Sequence, residues 1–187
     1  MNFKRKYHGS YSKSAQYVAR ELEAKSKLLR NLAPVGVEVL DSGLGVETVG
    51  IVEGSSEVRF DFTLIDSITG RVIAYVEVTG DAINDIYAYI LSEKLVKARL
   101  SKYPVWFMYH KRSKRMWRMF SARFVARVGE EVKWLEDEKP YLRVPVSKGL
   151  YFAEWIRWLK SHIIPMIRDA KHPSMYNKYL ESWKVIE

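Results

Sequence analysis

Two carboxylates fall where apolar strands do not tolerate them without a partner. Asp61 interrupts Val58-Arg59-Phe60-Asp61-Phe62-Thr63-Leu64-Ile65, and Glu77 interrupts Arg71-Val72-Ile73-Ala74-Tyr75-Val76-Glu77-Val78-Thr79. An ionised group in a buried strand is costly unless it is paired or put to use. Between the runs lies Asp66-Ser67-Ile68-Thr69-Gly70, a turn-forming segment, so the whole reads as a β-hairpin. With Ile65 paired to Arg71 across that turn, Asp61 faces Tyr75, and Glu77 lies one diagonal step away on the same face. A shift of one residue would send the carboxylates to opposite faces. The chemistry therefore depends on the register.

Two converging carboxylates suit a hard, oxygen-seeking cation, Mg²⁺ or Mn²⁺. The chain has no cysteine and only 4 histidines, which are scattered. That excludes disulfides, thiolate zinc sites and a cysteine nucleophile. Water on such a cation is more acidic and can attack a phosphodiester. The competing reading is a solvated sheet face on which Asp61 and Glu77 pair with Arg59 or Arg71.

A helix must precede this hairpin. Ser12 to Leu32 carries Val18, Leu22, Leu29 and Leu32 at helical spacing and is ended by Pro34 and Gly36. Glu21 falls beside Val18, Leu28 and Leu32 on the core stripe, whereas Glu23 points away. Glu21 either serves a metal site or pairs with Lys25 at i+4. Phe60-Asp61, then Glu77-Val78-Thr79, with a helix bearing Glu21 before and a helix and apolar strand after, resembles the PD-(D/E)XK nuclease superfamily. Within it, the chain is similar to archaeal Holliday-junction resolvases and archaeal viral nucleases, over roughly Ser12 to Phe120.

The resemblance implies an α/β fold, restriction-endonuclease-like, with a mixed central β-sheet flanked by helices. It implies a metal-dependent deoxyribonuclease acting on DNA as a homodimer, with Asp61, Glu77 and Val78 as metal ligands and Glu21 assisting. The superfamily places a lysine two residues after the glutamate. Thr79 stands there, and some members recruit the lysine from the following helix. A helix is expected to start between Asp85 and Ser92 and to end near Leu100. Begun near Asp85, it sets Lys94 on the stripe of Ile83, Tyr87 and Ile90, with Lys97 on its flank, whereas a start at Ser92 weakens that periodicity. Lys94 is thus the expected substitute. The alternative is a non-catalytic nucleic-acid-binding protein that keeps the fold and lacks the working lysine.

Charge supports a polyanionic partner: 31 Lys and Arg oppose 22 Asp and Glu, a net charge of +9. His110-Lys111-Arg112-Ser113-Lys114-Arg115 is a basic turn beside Tyr109 and Trp117. Lys111, Arg112, Lys114 and Arg115 are the expected DNA contacts, unless the turn is a solvated tip. The scarcity of Gln and Asn points to a hot habitat.

Of the 187 residues, 48% are hydrophobic, enough for a packed core. No stretch is long enough to span a membrane, and no signal sequence follows Met1. A cytoplasmic protein is expected, in a host's cytoplasm if viral. The chain reads as one nuclease-like domain, 1–187, with a basic arm over 1–11 and a C-terminal extension over 166–187. Further strands are expected at Val35–Leu40, Tyr103–Tyr109 and Tyr141–Val146, and at Met116–Phe120 after the basic turn. Ser121–Val128 fits either helix or strand. A helix over Leu150–Ile164 is expected to stop at Pro165.

Overall fold

The computed structural model describes residues 15–41, 60–80, 86–133, 139–169 and 172–184. The arm Lys4-Arg5-Lys6, the glycines Gly43, Gly45, Gly50 and Gly54, and residues Val58, Arg59 and Ile83 lie outside these. Helix α1 (Ala15–Leu32) runs into a 3₁₀ turn at Ala33–Val35, and Gly36, at φ 74°, supplies the left-handed residue that ends it. The buried line of α1 is Glu21, Ala24, Leu28 and Leu32. Leu22 and Leu29, expected in the core stripe, are exposed. They sit about 100° round the helix from Glu21 and Leu28, beyond the line of contact.

Strands β1 (Val37–Asp41), β2 (Phe62–Asp66) and β3 (Val72–Gly80) form an antiparallel meander. Next come β4 (Tyr87–Leu91), α2 (Ser92–Leu100), β5 (Val105–Lys111) and β6 (Met116–Ser121). After them are α3 (Ala122–Val128), β7 (Glu130–Val132), β8 (Tyr141–Pro145) and β9 (Leu150–Tyr151). Helices α4 (Phe152–Trp158), α5 (Ile164–Arg168) and α6 (Pro173–Ser182) complete the order.

The main sheet is mixed and six-stranded, β1-β2-β3-β5-β6-β9. Among the described residues of this sheet, only the β3–β5 pair is parallel. A parallel pair needs a crossover, and here it carries β4 and α2. Strand β4 joins a second, antiparallel sheet, β4-β8-β7.

Alternation along the central strands separates two cores. Ala74, Val76, Val78, Trp106 and Met108 face α1, α4, α5 and α6. Phe107, Tyr109 and Phe120 face α2, α3 and the small sheet. Helices thus cover both faces, as the resemblance implies.

The structure decides two open readings and changes one expectation. The helix before β5 begins at Ser92, the late end of its expected range, because Tyr87–Leu91 pairs with β8 and alternates with the period of a strand. Ala122–Val128 is a helix, started by Ser121, whose Oγ accepts the Phe124 N–H at 3.1 Å. Pro165 does not stop the last long helix. A π turn at Leu159–Ile163 precedes it and Pro165 enters the first turn of α5. The wider turn accommodates a residue that has no N–H and clashes with a carbonyl one turn back.

Candidate active site

The turn of the β2–β3 hairpin does not by itself bring the carboxylates together. Beside the turn, Ile65 pairs with Val72, one residue beyond the expected Arg71. Continued unchanged, that register would set Asp61 opposite Val76 and turn Glu77 to the other face. A β-bulge between Leu64 and Ile65 leaves Ile73 without a cross-strand partner, and beyond it Leu64, Thr63 and Phe62 pair with Ala74, Tyr75 and Val76. One further step puts Asp61 opposite Glu77, a direct pair rather than the expected diagonal. The extra residue restores the shared face.

Strand β2 begins at Phe62, so the N–H of Val78 has no strand partner on that side, and the Asp61 carboxylate accepts it at 2.7 Å. Glu77 projects toward α2. There Lys94 Nζ lies 2.6 Å from Glu77 Oε1, both side chains largely covered, and 3.4 Å from the Val78 carbonyl. Lys94 reaches this point as the third residue of α2, not through the stripe of Tyr87 and Ile90, which belong to β4.

Burial pushes the Glu77 carboxyl above the ordinary carboxylate range, against the pull of the Lys94 ammonium, and the Asp61 charge adds to the push. Burial alone would discharge Lys94. The Glu77 carboxylate outweighs it, and the ammonium titrates above the ordinary lysine range. Tyr17 lies beside the same groups, with Lys94, Asp61, Glu77 and Glu21 all acting on its phenol, which burial raises.

Asp61, Glu77, the Val78 carbonyl and Lys94 are therefore together. Glu21 is buried at 7% exposure on the α1 stripe, one turn after Tyr17. Glu21 acts on the Tyr17 phenol together with Asp61 and Glu77. Among the described residues no group of three or more His, Asp or Glu side chains is placed to hold a metal ion. Two carboxylates and a carbonyl are hard oxygen donors, and they fit Mg²⁺ or Mn²⁺.

The sequence reading missed Tyr17 and Arg20. Tyr17 was within reach of it, four residues before Glu21 on one helical face. Arg20 was not, because its guanidinium packs over Gly80, where an added Cβ would come within 2.5 Å of it.

The basic turn lies at the same sheet end. Gly80 pairs with His110, and the turn starts five residues after Phe107, the partner of Glu77, roughly 16 Å along the strand. Lys114 and Arg115 are exposed, with Arg115 at a positive φ of 46°. Lys111 corrects the expectation of a four-residue basic tip. It ends β5 opposite Met116 and is 5% exposed, because its side chain turns inward with the strand. The Arg112 side chain lies outside the described residues.

The mixed six-stranded sheet flanked by helices is a fold shared with a solved nuclease structure. In particular, the chain is similar to D212, a nuclease from a fusselovirus, with a TM-score of 0.57 and 16% identity over 91% of this chain and 99% of that one. It also matches Hjc, a Holliday junction resolvase from Archaeoglobus fulgidus, with a TM-score of 0.46 and 17% identity over 72% of this chain and 98% of that one. At these identities the likeness is one of fold. No protein-family model and no curated protein matches the chain. No helix among the described residues is long and apolar enough to cross a membrane.

Proposed function

We propose that the chain is a divalent-metal-dependent deoxyribonuclease that hydrolyses phosphodiester bonds, works as a homodimer and takes branched DNA among its substrates. The observation that carries this reading is the Lys94–Glu77 contact at 2.6 Å beside Asp61. Asp61, Glu77 and the Val78 carbonyl would hold Mg²⁺ or Mn²⁺, which when bound acidifies water and neutralises charge on the phosphate. Lys94 supplies the cation that Thr79 cannot. Its ammonium, held charged next to Glu77, orients the attacking water and offsets the negative charge that develops on the phosphate oxygens. Exposed Lys114 and Arg115 at the same sheet end provide phosphate contacts.

Thr79 favours one rival, a nucleic-acid-binding protein of this fold that does not cleave. Incubation of supercoiled, single-stranded and four-way-junction DNA with Mg²⁺ or Mn²⁺ separates the two. Nicking or junction cleavage that EDTA abolishes supports the nuclease, and binding without cleavage under all these conditions supports the rival. Sedimentation at the mass of one chain with full activity would remove the dimer from the proposal.

A further inference from the structure

The bulge that sets Asp61 opposite Glu77 needs its own support. Val72 pairs with Ile65 while Ile73 has no partner in the β2 ladder, and at neither residue has β5 begun, since its first partner is Tyr75. Buried carbonyls without partners are costly. Helix α6 meets both of them. The Tyr176 hydroxyl donates to the Val72 carbonyl at 2.7 Å, and the buried Tyr179 hydroxyl donates to the Ile73 carbonyl at 2.8 Å. The adjoining Arg71 is fixed as well. Its guanidinium lies over the Tyr176 ring, 5.1 Å from the centroid, and donates to the Ile167 carbonyl at 2.9 Å.

Burial raises both phenols, Tyr176 to about 12, so each remains an O–H donor at physiological pH. Ile73 itself is fully buried, and the bulge is therefore held from the backbone and from the side chain.

We propose that α6 is a register clamp for the hairpin: Tyr176 and Tyr179 hold the Val72–Ile73 bulge in place and thereby keep Asp61 and Glu77 on one face of the sheet. They are positioning residues that act through the backbone, 104 and 106 residues away in sequence. The segment after residue 165 is then part of the active-site machinery rather than an appendage. The inference rests on the nuclease reading only for its activity readout.

The test is the double variant Tyr176→Phe, Tyr179→Phe, which keeps both rings and removes both donors. Turnover should fall roughly tenfold to a hundredfold with KM little changed, as expected for misplaced reacting groups. Hydrogen exchange at the Val78 amide, which Asp61 accepts, should speed up more than exchange at core amides of β5. Ile156→Ala, at a buried α4 position in the same core as α6 and on the sheet face away from α2, controls for lost packing and should keep wild-type turnover.

Wild-type turnover together with wild-type Val78 exchange in the double variant would overturn the clamp. So would equal loss of turnover in Ile156→Ala. If the double variant does not fold, Tyr179→Phe alone is read by the same two measurements. If wild-type protein cleaves no DNA, the nuclease reading fails while Val78 exchange still decides the clamp.

Discussion

The two ends of the β2–β3 hairpin both bury a carboxylate, and they treat it in opposite ways. At the turn, Asp66 is fully buried and its oxygens are fully occupied. Thr69 donates to it from its backbone N–H at 3.0 Å and from its hydroxyl at 2.7 Å, and Arg168 Nε donates at 2.7 Å. Burial works against that charge, yet the bonds from Arg168 and Thr69 win, and the carboxyl is held below its ordinary value. At the open end, Glu77 faces Asp61 and Lys94, and its carboxyl titrates above the ordinary range. Every donor around Asp66 belongs to the fold. Around Glu77 stand the Lys94 ammonium and the like charge of Asp61, and under the proposed function that is where a cation and substrate would fit. Burial alone does not tell a structural acid from a reactive one; the completeness of its partners does.

That contrast should appear as a double dissociation. Asp61→Asn and Glu77→Gln should each lower cleavage roughly a thousandfold or more, with the melting temperature of Asp61→Asn near wild type. Asp61→Asn keeps the shape of the side chain and relieves repulsion between two close carboxylates, whereas Glu77→Gln also leaves the buried Lys94 ammonium without its partner and should lower stability as well. Cleavage at wild-type rate by either variant would show that the open end is structural like the turn. Lys94→Ala comes next. Removing a group that acts mainly in the transition state should lower turnover roughly a hundredfold, while DNA and Mn²⁺ dissociation constants move little. A loss confined to DNA affinity would make Lys94 a phosphate contact.

Asp66→Asn should do the reverse: turnover persists, and stability falls by roughly 3 kcal/mol, because Arg168 is left without its buried partner. The sign with pH follows from the lowered carboxyl. Its contribution is fully present above the unfolded value of 3.8 and is lost as pH falls through the folded value. Urea melts of wild type should therefore lose stability below about pH 4, and Asp66→Asn should show a shallower acid limb. An unchanged limb would mean that other carboxylates dominate acid unfolding.

The open-end carboxylates were legible in the sequence because each breaks an apolar strand, a local signal. Their register was not. The bulge at Ile73 depends on tyrosines of α6, and no local pattern announces a partner so far along the chain. Lys94 was reached through a helix start left open between Asp85 and Ser92. Tyr87 and Ile90, three apart, share a face only in a helix, whereas Ala88 and Ile90 are the buried alternates of a strand, and pairing with β8 decides for the strand. Lys111 misled for a related reason. A run of basic residues reads as one exposed tip, yet β5 continues through Lys111 and turns its side chain inward.

The smallest expected effect separates the two ends by charge rather than by chemistry. Lys114 and Arg115 are exposed at the sheet end that holds Glu77 and far from Asp66. Neutralising both should weaken DNA binding and reduce the slope of log K against log salt by up to about 2, one for each phosphate no longer neutralised. Including Arg112 should deepen the effect, whereas Lys111→Met, at a buried position, should leave the slope unchanged. Turnover at saturating DNA should stay near wild type, since these groups position the backbone and do not touch the reacting atoms. The measurement is a salt titration of fluorescence anisotropy with a short duplex. A slope unchanged in the Lys114, Arg115 variant would show that the turn is a solvated tip, and the path of DNA to Glu77 would then run over α1, where Arg20 lies against Gly80.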